Sequence, residues 1–354
     1  MNTHFIISGL SYSEYELRNN SDLGQRYEYV RDIQMFLEQW RGESDSIIAY
    51  TSGSTGKPKE IKLSKSAMKA SAVATAKAFD IEMDHEQTDN KQGVICSPLS
   101  AKFIAGKVMI VRALEWKTDL ICIPPSGNPL VFLDRNVDFM VMTPHQLARS
   151  FELGDETKLN QVEKLLLGGS PVNKDLEDRI SRINTPIFIG YGMTETMSHV
   201  ALRRLNGTDA SSIYRAVDGV SFSLDDRDCL VVHAPHRGVF ELFTNDVATL
   251  LDEFTFNWLG RYDHVINTGG VKVFPEMIEE KIESIISQSF YISSQKEKVL
   301  GEEVVIVLEG ELPDQDTISN WNSQMLAILH KYEMPRKWMS KEEFNYTQTG
   351  KVIR

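Results

Sequence analysis

Residues Tyr50 to Glu60 read Tyr-Thr-Ser-Gly-Ser-Thr-Gly-Lys-Pro-Lys-Glu, gathering four aliphatic hydroxyls, two glycines and two lysines into one short stretch. That composition suits phosphate. Thr51, Ser52, Ser54 and Thr55 can donate O–H groups, Gly53 and Gly56 let backbone N–H groups approach an anion, and Lys57 and Lys59 supply charge. Ile47 to Tyr50 reads as a short buried strand feeding the loop. A Walker P-loop needs four residues between its glycines and a Ser or Thr directly after Gly-Lys. Here two residues separate Gly53 from Gly56 and Pro58 follows Lys57, so the loop is of another kind. A Ser/Gly surface turn is the structural alternative.

A second string, Gly190-Tyr191-Gly192-Met193-Thr194-Glu195-Thr196, places an aromatic face, a hydroxyl and a carboxylate within five residues of one another. A purine, a phosphate and a metal ion could each find a partner there. Gly168-Gly169-Ser170 follows an apolar run in the same way. Taken alone, each string is equally compatible with a strand-to-loop corner.

These strings need elements to hold them. Val30, Ile33, Phe36, Leu37 and Trp40 recur at helical spacing over residues 28–41 and predict an amphipathic helix. Beyond the phosphate loop, helix-like and strand-like segments alternate: helix 65–79, strand 94–97, helix 105–114, strand 119–123, strand 138–143, a helix from His145, strand 164–167, helix 174–183 and strand 187–191. Such alternation predicts a layered α/β core with a mostly parallel sheet, in which ligands collect at strand ends. Both glycine-containing strings follow strands. From Cys229 to Phe243 the pattern turns to short strands with Pro and Gly breaks. Gly260-Arg261-Tyr262-Asp263 then opens a new segment, which divides the chain into an N-terminal domain, 1–260, and a C-terminal α+β domain, 261–354. The latter should contain a hairpin at Asn267-Thr268-Gly269-Gly270, a helix starting at Pro275, a strand over 303–308 and a helix over 317–332.

With 354 residues and 42% hydrophobic content, the chain can bury one large core and one smaller one. A net charge of −12 argues against broad nucleic-acid or anionic-membrane binding, so anions must be held by local clusters. No apolar run is long enough to span a bilayer, and Met1 to Leu10 lacks a secretory pattern. Cys96, Cys122 and Cys229 show no metal-ligand spacing, which fits a reducing cytoplasm. A homo-oligomer is compatible with all of this.

From about residue 47 to the C-terminus, the order of these strings resembles the adenylate-forming enzymes: acyl-CoA synthetases, nonribosomal peptide adenylation domains and luciferases. The resemblance implies an ATP-dependent, Mg²⁺-assisted ligase that joins a small carboxylic acid to coenzyme A through an acyl-adenylate. By that likeness the loop (Thr51, Ser52, Gly53, Ser54, Thr55, Gly56 and Lys59) holds ATP phosphates. Gly168, Gly169 and Ser170 wall the adenine, Tyr191 stacks on it beside Gly192, Thr194 contacts phosphate and Glu195 helps hold Mg²⁺.

Phe243-Thr244-Asn245-Asp246 resembles the family's Thr-Gly-Asp, whose Asp accepts from the ribose hydroxyls. Asn245 stands where glycine is usual, a residue type that tolerates left-handed backbone. Arg261 would touch ribose or phosphate, Asp263 would be the hinge about which the C-terminal domain rotates, and Gly269, Gly270 and Lys272 would face coenzyme A. Lys351, in Thr349-Gly350-Lys351, matches the family's terminal catalytic lysine. The Pro98 to Gly106 segment departs from the family's acyl-site pattern, lacking its histidine. Lys102, Phe103, Ser198 and His199 are the acyl-pocket candidates, and Lys102 or Arg204 could meet a second carboxylate on the substrate. A snorkelling helix lysine is the plain alternative for Lys102.

Short length and the strings at 166–171 and 193–198 look most like the o-succinylbenzoate–CoA ligase branch, which serves menaquinone biosynthesis. A ligase for another aryl or short acyl acid and a degenerate nucleotide-binding protein are the alternatives.

Overall fold

The computed structural model describes residues 3–50, 60–83, 93–346 and 352–354. The phosphate loop, Thr51 to Lys59, and Lys351 lie outside the described residues. The chain divides into two compact units, one of Met1–Pro171, Arg179–Ser221 and His233–Glu241, the other of Val172–Asp178, Phe222–Val232 and Leu242–Arg354.

The elements run β1 (His4–Ile7), β2 (Leu10–Ser13), α1 (Glu14–Asn19), α2 (Ser21–Arg26), α3 (Glu28–Arg41), β3 (Ser46–Tyr50), β4 (Glu60–Ser64) and α4 (Lys65–Ala78). They continue with β5 (Val94–Ser97), α5 (Ile104–Trp116), β6 (Asp119–Cys122), β7 (Phe139–Met142), α6 (Pro144–Glu152), β8 (Leu165–Leu167), α7 (Lys174–Ile180), β9 (Ile187–Met193), β10 (Ser198–Arg204) and β11 (Tyr214–Ala216). The remainder is β12 (Ser221–Leu224), β13 (Cys229–Ala234), β14 (Val239–Asp252), β15 (Thr255–Arg261), β16 (Ile266–Thr268), β17 (Val271–Val273), α8 (Pro275–Ile282), β18 (Phe290–Glu297), β19 (Gly301–Glu309), α9 (Gln315–Leu326), β20 (Lys337–Lys341), β21 (Asn345–Tyr346) and β22 (Val352–Ile353).

In the first unit the strands are ordered β11-β10-β9-β8-β7-β5-β6-β1-β2. From β9 to β1 every neighbouring pair is parallel, as the alternating pattern requires. Helix α3 buries Val30, Ile33, Phe36, Leu37 and Trp40, the five residues whose spacing marked it. They join Met68, Ala72 and Phe79 of the α4 segment and Val108 to Val111 of α5 in one core. Phe139 of β7 is its centre, with the Phe79 and Trp116 rings edge-on at 4.9 and 5.6 Å. Trp116 Nε1 donates to the Ala72 carbonyl at 2.9 Å, so the indole is buried without losing its polar partner. Strands β3 and β4 pair antiparallel on either side of the phosphate loop, with Tyr50 opposite Glu60.

In the second unit β12-β13-β14-β15 run in that order, and a separate sheet is ordered β17-β16-β19-β18 with β20 beside β19. Helices α8 and α9 cover the latter through Ile278, Ile282, Trp321 and Met325. Gly269 and Gly270 form the two-residue turn between β16 and β17 with φ +58° and +80°. Positive φ at both positions is the hairpin geometry that glycine adopts without strain.

Some expected boundaries differ. Helix α9 starts two residues early because Asp314 caps it, its carboxylate accepting Thr317 N–H at 2.7 Å, and it ends at Leu326 rather than Tyr332. Helix α7 stops at Ile180, not Ile183. The segment expected as short strands contains β14, a strand of 14 residues, because the Gly238 turn precedes it rather than interrupting it. No helix among the described residues is long and apolar enough to cross a membrane.

Candidate active site

Strands β8 and β9 lie side by side and parallel, Leu167 opposite Ile189, so their C-terminal ends open on the same edge. Gly168, Gly169 and Ser170 follow β8 directly, Gly169 with φ +88°. A Cβ built on Gly168 or Gly169 meets nothing within 4 Å, which leaves space rather than packing above these glycines.

At the end of β9 the glycines serve a different purpose. A Cβ on Gly190 would stand 2.9 Å from His199 Cβ, and one on Gly192 would stand 2.3 Å from the Ser198 carbonyl. Glycine at both positions lets β10 fold back closely on β9. Tyr191 is half-buried, its ring 5.9 Å from that of Tyr214. Thr194, Glu195 and Thr196 form a single 3₁₀ turn, with Thr194 and Glu195 partly exposed and Thr196 buried.

The reversal after this turn is sharp. Met197 and Ser198 have φ of +54° and +94°, a conformation that costs about 1–3 kcal/mol per non-glycine residue. Thr196 Oγ1 accepts Met193 N–H at 3.0 Å and lies 2.6 Å from the Ser198 carbonyl. Ser71 Oγ of α4 donates to the Met197 carbonyl at 2.9 Å. Arg237, which is 1% exposed, donates from Nη1 to the carbonyls of Thr196 at 3.1 Å and His199 at 2.9 Å. His199 itself is buried, its ring 3.3 Å from both Thr75 Oγ1 and Arg112 Nη2. Burial first, then the neighbouring Arg112 and Arg237 charges, hold its pKa well below the usual imidazole value. Burial lowers Arg112 to about 9 and Arg237 to about 10.

Arg112, Arg237, Ser71 and Thr75 were not legible as site residues. One signal existed: Arg112 interrupts the apolar run Val108 to Ala113, where an unpaired charge is expensive.

The acyl-pocket candidates scatter. Lys102 Nζ is held by Glu28 at 2.6 Å with Asp32 at 3.8 Å, and Glu28 first, then Asp32, raises its pKa. Arg204 lies over the Phe188 ring and donates to the Asn206 carbonyl. Phe103 is exposed at the start of α5, Ser198 is partly buried, and His199 faces the α4–α5 core.

In the second unit Asp246 stands opposite Arg261 in the β14–β15 pair. Its Oδ1 accepts from Trp258 Nε1 at 3.3 Å and lies 3.6 Å from Arg261 Nη1. Thr244 Oγ1 donates to the Leu230 carbonyl and accepts Asp246 N–H at 3.0 Å. Asn245 is an extended strand residue and not one of positive φ, so left-handed tolerance is not what its position asks for. Its Nδ2 instead reaches both carboxylate oxygens of Asp263, at 3.3 and 3.2 Å. Arg261 Nη2 donates to Asp263 Oδ2 at 3.2 Å. Lys272 pairs with Asp228 at 3.0 Å.

Magnesium ordinarily takes one or two carboxylates together with the substrate's own phosphates rather than a protein cage. Glu195, partly exposed in the turn after β9, supplies one carboxylate of that kind. The donor chemistry therefore fits a metal brought with a nucleotide.

Comparison with known proteins bears on the fold and the family. A structure of an AMP-forming acyl-CoA synthetase/AMP-acid ligase II-like protein from Dyadobacter fermentans is 33% identical, covers 92% of this chain and 93% of its own, and superposes with a TM-score of 0.62. The o-succinylbenzoate CoA synthetase MenE of Bacillus subtilis, solved with its OSB-AMP acyl-adenylate, shares the fold at a TM-score of 0.72, 20% identity and coverage of 87% and 67%. A 2-succinylbenzoate–CoA ligase of Bacillus cereus is 24% identical over 90% of this chain and 70% of its own length. The AMP-binding enzyme family matches residues 10–238, the span that carries β8, β9 and the turn beyond them. The chain belongs to the family of AMP-binding enzymes.

Proposed function

We propose that this enzyme is an ATP-dependent carboxylate–CoA ligase that works through an acyl-adenylate, with 2-succinylbenzoate as its acid. The paired ends of β8 and β9 carry the reading: open glycines at 168 and 169 beside Tyr191 and a turn presenting Thr194 and Glu195. The 2-succinylbenzoate–CoA ligases among its relatives support the choice of acid.

In the first half-reaction a carboxylate oxygen of the acid bonds to the α-phosphorus of ATP, and the bond to pyrophosphate breaks. Thr51 to Lys59 donate to the leaving phosphates, Tyr191 and Gly168 to Ser170 flank the base, and Asp246 and Arg261 take the ribose and phosphate. Glu195 would help hold a Mg²⁺ ion, whose charge would offset that of the phosphates. Lys351 bridges carboxylate and α-phosphate, an interaction strongest in the transition state. In the second half-reaction the coenzyme A thiol attacks the acyl carbon and AMP leaves. Residues 261–354 rotate about Asp263 between the two steps, bringing Gly269, Gly270 and Lys272 to coenzyme A. With Lys102 engaged by Glu28 and Asp32 and His199 buried, Phe103 and Ser198 remain the acyl-facing candidates. We place the enzyme in the cytoplasm, acting on small molecules.

The test is a panel of carboxylates with ATP and Mg²⁺, following pyrophosphate release with and without coenzyme A. Release with 2-succinylbenzoate, and thioester once coenzyme A is added, is the expected result. Release only with other acids would move the substrate assignment, and ATP binding without release would make the chain a nucleotide-binding protein.

A further inference from the structure

We infer that Asn245 is a positioning residue of the hinge, acting through Asp263; the inference rests on the ligase reading above and deepens it. The amide nitrogen of Asn245 lies 3.3 and 3.2 Å from the two carboxylate oxygens of Asp263. Its other end is held as well: Arg227 Nη1 donates to Asn245 Oδ1 at 3.1 Å, and Arg227 Nη2 donates to the Thr244 carbonyl at 3.0 Å. The Arg227 guanidinium is fixed in turn by Asp225 at 2.7 Å and lies 5.1 Å from the Tyr262 ring centroid, beside Asp263 in sequence. An amide gripped at its oxygen presents its nitrogen in one direction, which here is the hinge carboxylate.

The second donor to Asp263 completes the device. Arg261 Nη2 reaches Asp263 Oδ2 at 3.2 Å while its Nη1 lies 3.6 Å from Asp246 Oδ1. Asp263 is thus tied by two routes to the stretch of β14 that carries Asp246, one through Arg261 and one through Asn245. Glycine at 245, the residue the resemblance leads one to expect, has no side chain to make the second tie. A hinge works by changing its backbone angles, and a change at Asp263 swings its carboxylate off the Asn245 amide. The contact therefore weights the conformation that has it against any that lacks it.

The test compares the unaltered enzyme with Asn245→Gly and Asn245→Asp, measuring pyrophosphate release and, separately, conversion of preformed acyl-adenylate to thioester. Glycine removes the tie, and aspartate sets a second carboxylate against Asp263. Because Asp263 is about half exposed, the tie falls below the usual range for a hydrogen bond to a charged group and nearer that of an exposed pair. We expect the ratio of the two rates to shift about fivefold in Asn245→Gly and further in the same direction in Asn245→Asp. A displaced Asp246 would instead raise KM for ATP and slow the steps that use it, without that ordered shift. An unchanged ratio in both variants, or an effect confined to KM for ATP, overturns the inference. Failure of the unaltered enzyme to release pyrophosphate with any acid defeats the ligase reading itself, and this inference with it.

Discussion

Replacing Arg237 by methionine should separate the stability of the fold from the placement of the turn that carries Thr194 and Glu195. Methionine has nearly the volume of the arginine stem but donates nothing, so the carbonyls of Thr196 and His199 lose a partner 3.1 and 2.9 Å away. Each buried carbonyl left unpaired costs about 1–3 kcal/mol, which puts the gross loss at roughly 2–6 kcal/mol. The guanidinium's own burial works the other way. Its pKa falls from 12.5 to about 10, and each unit of such a shift is about 1.4 kcal/mol, so removing the charge returns on the order of 3 kcal/mol. The net change is then small, between about −1 and +3 kcal/mol.

The local effect should be larger. Met197 and Ser198, strained at φ +54° and +94°, would lose one of the contacts that hold them, and a displacement near 1 Å at a reacting group slows a reaction on the order of a hundredfold. Hydrogen exchange of the amides from 193 to 199, a denaturant midpoint and the rate of pyrophosphate release report the three quantities independently. Lysine at 237 keeps a donor nitrogen for these carbonyls but buries a more strongly hydrated charge, and should fall between. Exchange at 193–199 unchanged, together with a pyrophosphate rate within about twofold of the original, would refute the reasoning.

Glycines in the two strings should respond in opposite ways. Gly192→Ala forces a Cβ to 2.3 Å from the Ser198 carbonyl and should destabilise the protein by about 1–3 kcal/mol in a denaturant titration, whereas Gly168→Ala meets nothing within 4 Å and should leave stability alone while raising KM for ATP. His199 gives a pH signature. Its pKa in the folded protein is depressed by burial and by Arg112 and Arg237, so below the unfolded value of 6.5 the unfolded chain binds a proton that the folded one does not. Its stabilising contribution is present above 6.5 and is lost progressively as pH falls below it, measurable as a fall in denaturant midpoint that His199→Gln removes. Lys351→Ala should block pyrophosphate release yet still convert preformed acyl-adenylate to thioester in a single-turnover assay; equal loss of both steps would contradict the role assigned to that lysine.

Local periodicity carried most of the fold. Helix α3 could be placed because Val30, Ile33, Phe36, Leu37 and Trp40 leave no second way to make a continuous apolar face, and all five are buried. The strands could be placed because a sheet covered on both sides demands short unbroken apolar runs, such as Leu165 to Leu167. Helix ends were less legible. The start of α9 depends on one side chain, Asp314, and its end on the turn in which the Ile328 and Leu329 amides donate to the Met325 carbonyl before Arg336 N–H reaches the Val304 carbonyl, which no propensity encodes. Of the candidate site, the strings at 168–170 and 190–196 were readable because each is contiguous. The network beneath them was not, since Ser71 and Thr75 of α4, Arg112 of α5 and Arg237 come from three distant stretches that meet around His199 and its turn, and His199 was expected at the acyl pocket instead. Asn245 shows the same limit: its residue type suggested a left-handed turn, while its position opposite Asp263 gives it a hydrogen-bonding task in an extended strand.

The close approach of two strands explains why that hidden network exists. Gly192 lets the Ser198 carbonyl come nearer than any side chain would allow, and β10 pairs with β9 from Ser198 opposite Met193 onward. Only four residues, Thr194 to Met197, are left to reverse the chain, and two adjacent non-glycine residues, Met197 and Ser198, have positive φ. A turn so short projects Thr194 and Glu195 beyond the strand ends but points the carbonyls of Thr196, Met197 and His199 into the interior, where each must find a donor. Ser71 and Arg237 are those donors. Arginine suits the task because one Nη1 spans two carbonyls, and its burial without a carboxylate costs less than it would for a more strongly hydrated ammonium. The buried charge is thus a consequence of the tight reversal, and a variant that relaxes the reversal, with glycine in place of Met197 or Ser198, should tolerate Arg237→Met better than the original chain does.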